Sequence, residues 1–361
     1  MWTFAKAWAR KAFPSEPRAT AAPQPTQLPS ESDAAPPPIT ASAPALPEPE
    51  HDQTLAPLTA HPPTQPFPDI SSVVAAIATE NSALVLHSAH NSFWAVAQAS
   101  QVGRMHVDQG GLYEDSAGFR LLPDGGLRLA VCDGVGSGAR GDICAQALVQ
   151  YALYNPLAGD ISKHAAQQLM QGADQHVAQA LATYSASPGA SMLAAVWHNK
   201  PEQALLTHVG DCRIYRWEWR STGVQLYMQT QDQSFGNLGQ VPADSPRFHH
   251  PAYMVGIDSG TPEIRELSCQ PSADMLAWGW LLCSDGIHGF LTDAHLQAGL
   301  QQCINHLFTD PGRSLPTTES LAPALSQAAS MMLRQALVSG SDDDATVLIA
   351  ATAIKATPNQ Q

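Results

Sequence analysis

The chain has 361 residues, with 18 Lys or Arg against 32 Asp or Glu, so that its formal net charge is -14 at pH 7. A chain of this length can bury one large core or two ordinary ones. The acidic balance excludes a typical nucleic-acid-binding protein, because neutralising phosphates requires clusters of Lys and Arg. No apolar run approaches the roughly 18 residues of a membrane span. The N-terminus also lacks the apolar core of a signal peptide, and we therefore expect a soluble protein.

The six cysteines are spaced too widely for a zinc knuckle or a small disulfide framework. None is followed by Arg at the spacing that a cysteine-nucleophile phosphatase loop needs to bind phosphate. The 14 histidines contain no H-E-x-x-H pattern, which argues against a zinc site on one helix. These features favour a reducing compartment, and we expect the protein to be cytoplasmic.

The N-terminal part of the chain differs in composition from the rest. Residues 1–13 (MWTFAKAWARKAF) place aromatic side chains on one helical face and basic ones on the other, as in a basic amphipathic helix. Two interpretations stay open: a tether to a membrane surface or partner groove, and a solvated tail. Residues 14–68 hold 16 of the 29 prolines and are predicted to be a disordered Pro/Ala-rich linker. Residues 69–361, with 14 basic and 26 acidic residues, are expected to form the folded domain.

From residue 69 onward, short strand-like runs alternate with longer amphipathic segments. Strands are predicted over 92–99, 127–132, 191–198, 203–209, 212–217, 224–229, 263–268, 279–283 and 345–351. Helices are predicted over 141–154, 161–184, 294–306 and 318–338. The middle strands follow one another through short connections, which predicts antiparallel pairing with helices packed outside, an α+β fold.

Acidic residues recur where an apolar strand meets a turn. Asp133, Asp211 and Asp285 each follow such a strand, and Asp342–Asp344 precede the last one. Carboxylates at strand ends protrude from the edge of a sheet, so they can converge despite their distance in sequence. Divalent cations such as Mg²⁺ and Mn²⁺ prefer these oxygen ligands. A single Asp-Gly pair is more typical of a turn, so the hypothesis of a metal site depends on the whole set.

Seven motifs occur in order between about residues 100 and 350. They are GRMH (103–106) with YEDS (113–116), AVCDGVGSGARGDICAQALV (130–149), GAS (189–191), VGDCRIY (209–215), QDQS (231–234), LLCSDGI (281–287) and DDATV (343–347). Together they resemble the metal-dependent 2C-type (PPM) serine/threonine protein phosphatases, in their divergent bacterial branch. The resemblance implies a four-layer α-β-β-α sandwich, in which helices flank two central antiparallel sheets.

The resemblance also implies a centre of two Mn²⁺ or Mg²⁺ ions at one end of the sandwich. Its ligands would be Glu114, Asp133, the carbonyl of Gly134, Asp285 and Asp343. Asp115 resembles an acid that orients metal-bound water, and Asp211 resembles a structural residue. His106, or alternatively Arg104, would donate to the substrate phosphate.

The implied activity is metal-dependent hydrolysis of phosphoserine or phosphothreonine by an activated hydroxide, without a covalent intermediate. The partner would be a phosphoprotein, either a kinase or a kinase target. The cytoplasmic enzyme would be held at a membrane only if residues 1–13 act as a tether.

Asp344 stands where many relatives have Asn. Two departures limit the resemblance: Gly110 occupies the position of a phosphate-binding Arg in many relatives, and residues 183–191 lack the acid that would support a third metal. An alternative is therefore a catalytically silent phosphatase fold that binds phosphoproteins or scaffolds a signalling complex. The segment GSGARG (136–141) also fits a dinucleotide-binding pattern, but no acid follows about 20 residues later on a second parallel strand.

Overall fold

The computed structural model describes residues 85–109, 112–136, 140–155, 162–184, 189–257, 259–305 and 315–354. The predictions for residues 1–13, residues 14–68 and Gly110 lie outside these ranges. The described strands are β1 (Val85–His90), β2 (Ala95–Gln101), β3 (Asp115–Leu121), β4 (Leu127–Gly134), β5 (Ser191–Lys200), β6 (Gln203–Val209), β7 (Arg213–Arg220), β8 (Gly223–Met228), β9 (Glu263–Ser268), β10 (Met275–Cys283) and β11 (Ala345–Ala353). The described helices are α1 (Arg104–Gln109), α2 (Gly141–Tyr154), α3 (Lys163–Thr183), α4 (Asp285–His288), α5 (Asp293–Asn305) and α6 (Thr318–Val338).

The strands form two antiparallel sheets. The first has the order β1-β2-β11-β10-β7-β8 and the second the order β3-β4-β5-β6-β9. Every neighbouring pair in both sheets is antiparallel, which confirms the predicted pairing. Parallel β-α-β units are absent from these two sheets, so the described part of the chain does not have a dinucleotide-binding fold.

Three apolar cores lie between four layers. Alternate residues of the first sheet, such as Tyr215 and Trp217, pack against α5 and α6. Alternate residues of the second sheet, such as Trp197, pack against α2 and α3. The other faces of both sheets meet in a core that contains Trp94 and Trp280. This arrangement confirms the α-β-β-α sandwich, because each strand presents successive side chains to opposite faces.

Every strand and helix predicted from the sequence is present, with ends that differ by a few residues. The strand predicted over 92–99, for example, is β2 at Ala95–Gln101. The sequence did not predict β1, β3, α1 or α4. Both missed strands are edge strands, and their mixed burial gives little of the alternation by which strands are recognised.

All six cysteines are buried and none forms a disulfide. Cys132, Cys212 and Cys283 pack in the cores as small apolar side chains. Within the described ranges, no helix has both the length and the apolar character to span a membrane.

Candidate metal centre

The acidic residues at the strand ends converge at one end of the sandwich. Asp115, the first residue of β3, pairs in register with Asp133 near the end of β4. Asp285 begins α4, two residues after the last residue of β10, and Asp343 precedes β11, which pairs with β10. Burial and the charges of Asp285, Asp115, Asp211 and Asp343 hold the pKa of Asp133 well above its usual range. The structure thus brings these carboxylates within electrostatic reach of one another.

Asp285 is subject to the same mutual repulsion. Burial, followed by the charge of Asp343, raises the pKa of Asp285 to about 6, although a hydrogen bond with Asp133 opposes the rise. Burial is also the main reason that the pKa of Asp343 is raised. A group of partly buried carboxylates with raised pKa values is stabilised by a bound cation.

Glu114 lies against the turn that follows β4. Its carbonyl accepts a hydrogen bond from the Gly134 N–H at 3.1 Å. A side chain at Gly136 would place its Cβ 2.2 Å from Glu114 Oε2, so the glycine leaves room for this carboxylate. Burial raises the pKa of Glu114 to about 7, even though His106 acts in the opposite direction.

The backbone of Gly134 packs against Gly141, the first residue of α2. A Cβ at Gly134 would lie 2.4 Å from the backbone of Gly141 and 2.7 Å from the carbonyl oxygen of Glu114. The backbones of residues 134 and 141 can therefore approach this closely only because Gly134 has no side chain. This close approach brings the backbone of residue 134 beside Glu114.

Asp115 is linked to the opposite sheet through side chains for which the sequence indicated no role. Ser284 Oγ donates to Asp115 Oδ2 at 2.6 Å and accepts from the Thr346 N–H at 3.1 Å. Tyr113 OH lies 2.5 Å from Thr346 Oγ1 in the same network. Asp115 is only 4% exposed, and burial together with the charge of Asp344 holds its pKa well above the usual range. Ser284 and Thr346 flank predicted acids in the sequence, but their pairing depends on the packing of two sheets.

His106 lies in α1 between two carboxylates. Its Nδ1 is 3.0 Å from Asp344 Oδ2, and its Nε2 is 3.6 Å from Glu114 Oε2. Burial lowers the pKa of His106, but Asp344, Glu114 and Asp343 outweigh burial, so that the pKa is raised overall. The alternative donor, Arg104, is largely exposed and lies 3.5 Å from Asp108.

The turn after β6 lies beside this group. Asp211 is buried, and its carbonyl faces His288 Nε2 at 3.0 Å. Arg213, two residues later, donates to both carboxylate oxygens of Asp232 at 2.9 and 2.8 Å. These contacts hold the turn against α4, which begins with Asp285.

Carboxylate oxygens are the donors that Mg²⁺ and Mn²⁺ prefer, so the chemistry of this set fits such ions. Among the described residues, no three or more His, Cys, Asp or Glu side chains are already arranged so that they could hold an ion. The carboxylates raise one another's pKa values, and a bound cation would offset this repulsion. The segment 183–191, considered for a third metal, includes residues 185–188, which lie outside the described ranges.

The family model of protein phosphatase 2C matches residues 102–337, more than half of the chain. The fold is similar to that of the Mycobacterium tuberculosis serine/threonine phosphatase PstP/Ppp, with 18% identity, a TM-score of 0.53 and coverage of 73% of this chain and 100% of that one. PppA of Pseudomonas aeruginosa, described as a key regulatory component of T6SS, has 21% identity, a TM-score of 0.52 and coverage of 74% and 100%.

The catalytic domain of the serine/threonine protein phosphatase PstP in complex with two manganese ions has 19% identity, a TM-score of 0.52 and coverage of 73% and 99%. At these identities the solved structures show a shared fold. Among curated proteins, none matches the chain at a significant level. The match over residues 102–337 shows that the chain belongs to the protein phosphatase 2C family.

Proposed function

We propose that this chain is a metal-dependent protein serine/threonine phosphatase that hydrolyses phosphoserine and phosphothreonine without a covalent intermediate. Its cofactors would be two Mn²⁺ or Mg²⁺ ions. The proposed ligands are Glu114, Asp133, the Gly134 carbonyl, Asp285 and Asp343. The single observation that carries the proposal is the convergence of these carboxylates at one end of the sandwich, where their pKa values are raised.

Two divalent ions bound there would supply hydroxide near neutral pH and offset the charge on the phosphoryl oxygens. The chain itself would bind and orient the substrate. Asp115, whose Oδ2 accepts a hydrogen bond from the Ser284 hydroxyl, is assigned to orient water toward phosphorus. His106 is assigned as the donor to the substrate phosphate. Its Nδ1 contacts Asp344, and its Nε2 lies 3.6 Å from the carboxylate of Glu114, a proposed metal ligand.

The proposed partner is a phosphoprotein, either a kinase or a kinase target. We place the enzyme in the cytoplasm, with residues 1–13 as a candidate tether to a membrane surface or a partner. The acidic folded part of the chain would be repelled by anionic lipids, so such a tether would depend on the basic face of residues 1–13.

Hydrolysis of a phosphothreonine peptide by the full chain tests this function. Phosphate release is measured with Mn²⁺, with Mg²⁺ and with a chelator. We expect turnover with either metal and its loss with the chelator. A folded protein that binds the phosphopeptide but releases no phosphate with either metal would instead be a silent phosphoprotein-binding module.

A further inference from the structure

Asp344 lies at the junction of three chain segments and is almost completely buried. Its Oδ1 accepts a hydrogen bond from the Gly103 N–H at 2.7 Å, and its Oδ2 accepts one from the Glu114 N–H at 2.6 Å. His106 Nδ1 approaches the same Oδ2 at 3.0 Å, and the Asp344 side chain is 2% exposed. One carboxylate thus contacts the segment before α1, α1 itself and the residue before β3.

These contacts call for an acid at position 344. Two backbone N–H groups and a histidine all approach the two oxygens, and an amide offers only one oxygen and adds two N–H donors. The side-chain NH₂ of an Asn at position 344 would therefore face a backbone N–H donor in a buried position. Hydrogen bonds to a charged acceptor are also shorter and stronger than those to a neutral one, in keeping with 2.6 and 2.7 Å here.

The three segments also meet through close backbone contacts. Met105 N–H donates to the Asp342 carbonyl at 2.9 Å, and a Cβ at Gly103 would lie 2.2 Å from the Asp343 carbonyl carbon. The Asp344 N–H donates to Asp343 Oδ1 at 2.8 Å. Movement of Asp344 would therefore disturb both Asp343 and Glu114, two proposed metal ligands that are far apart in the sequence.

We propose that Asp344 is a positioning residue: its carboxylate holds the backbone of Glu114 and the ring of His106, and thereby aims the Glu114 carboxylate and His106 Nε2 into the site. His106 packs against Asp344 through its Nδ1, 3.0 Å from Asp344 Oδ2, and only 14% of its side chain is exposed. The proposal rests on the proposed function for the roles of Glu114 and His106. The contacts of Asp344 themselves do not depend on a bound metal.

Asp344→Asn tests the proposal, with Asp342→Asn as the matched control. Asp342 is exposed on the same loop, and its replacement removes one charge without changing the contacts of Asp344 with Gly103, Glu114 and His106. Amide hydrogen exchange is followed by NMR at Gly103 and Glu114 in the metal-free full chain. We expect exchange to become about tenfold or more faster at one of the two amides at least in Asp344→Asn, because Asn keeps a single oxygen acceptor for two N–H donors, and to stay unchanged at both amides in Asp342→Asn.

Mn²⁺ affinity of the same proteins is then measured by calorimetry. Loss of a side chain that orients a metal ligand typically weakens metal binding by about 10- to 100-fold, and we expect a change of this size for Asp344→Asn alone. Faster amide exchange with unchanged Mn²⁺ affinity would show that Asp344 has only a structural role, and would overturn the positioning role. Unchanged exchange in a folded Asp344→Asn protein would overturn the hydrogen bonds themselves.

The wild-type protein provides a test that does not require the variant to fold. If its Glu114 amide exchanges as fast as an unprotected peptide, the proposal is wrong. Failure of the proposed function would look different. A wild-type chain that binds Mn²⁺, shows both effects of Asp344→Asn and hydrolyses no phosphopeptide would support the positioning role and refute the phosphatase. Absence of Mn²⁺ binding by the wild-type chain would overturn both.

Discussion

Replacement of His198 is expected to remove about 1.4 kcal/mol of the stability that the fold loses between pH 7.5 and pH 5.5. His198 is fully buried between the sheets. The Trp280 Nε1–H donates to His198 Nε2 at 2.8 Å, which leaves the ring proton on Nδ1, 3.2 Å from the Lys200 carbonyl. Both ring nitrogens thus have partners only when the ring is neutral. Burial accordingly lowers the pKa of His198 to about 3.

The sign and size of the effect follow from this low pKa. In the unfolded chain this histidine has a pKa of about 6.5 and binds a proton below that pH. In the folded chain it does not bind a proton until the pH approaches about 3. Stability is therefore present above pH 6.5 and is lost progressively as the pH falls. Between pH 7.5 and pH 5.5 the loss from His198 alone is about 1.4 kcal/mol, and it is set almost entirely by the unfolded-state pKa.

Urea unfolding of the wild type and of His198→Gln at the two pH values measures the contribution of His198 to the loss of stability. Other titrating groups contribute equally to both proteins, so the wild type should lose about 1.4 kcal/mol more than the variant. His87→Gln, at an exposed position of β1, is the control and should behave as the wild type does. An equal loss of stability in the wild type and in His198→Gln would refute a neutral, buried His198.

Gly136→Ala should lower phosphopeptide turnover by roughly 100-fold, because the new Cβ would displace the Glu114 carboxylate, which lies 2.2 Å away. The clash is with the end of a flexible side chain, so the thermal midpoint should change little; wild-type turnover would show that Glu114 does not serve the centre. Deletion of residues 1–68 should leave turnover of a small phosphoester unchanged, and a large loss would assign the tail to the catalytic unit. Residues 1–13 should co-sediment with anionic vesicles at low salt if they are a membrane tether; their absence from the pellet would favour a protein partner or a solvated tail.

The sequence was informative where burial imposes a regular pattern. The buried strands β5 and β10 were found because their apolar runs are long and end in recognisable turns. The edge strand β3 was missed, since only its first residue is fully buried and the rest are partly exposed. The short helix α1 has neither an acidic first turn nor a continuous apolar face, and its position depends on contacts with Asp342.

The candidate site was predictable to the same extent. Acids at strand ends pointed to a metal centre because a sheet carries its strand ends to a common edge. The partners of those acids were not predictable. Ser284 reaches Asp115 across 169 positions of sequence, and Asp344 reaches Glu114 across 230. Such contacts arise when two sheets pack together, and the local pattern of apolar and polar residues does not predict them.

The most direct test of the metal-centre account is the comparison of wild type with Asp133→Ala. Bound Mn²⁺ per chain, phosphothreonine-peptide turnover and the thermal midpoint are measured on both full-length proteins. Removing a carboxylate that repels Asp285 and Asp115 should leave the metal-free protein at least as stable as the wild type. We predict two Mn²⁺ ions on the wild type, with metal binding impaired and hydrolysis abolished in the variant. A folded Asp133→Ala protein that hydrolyses the peptide at the wild-type rate would contradict the account.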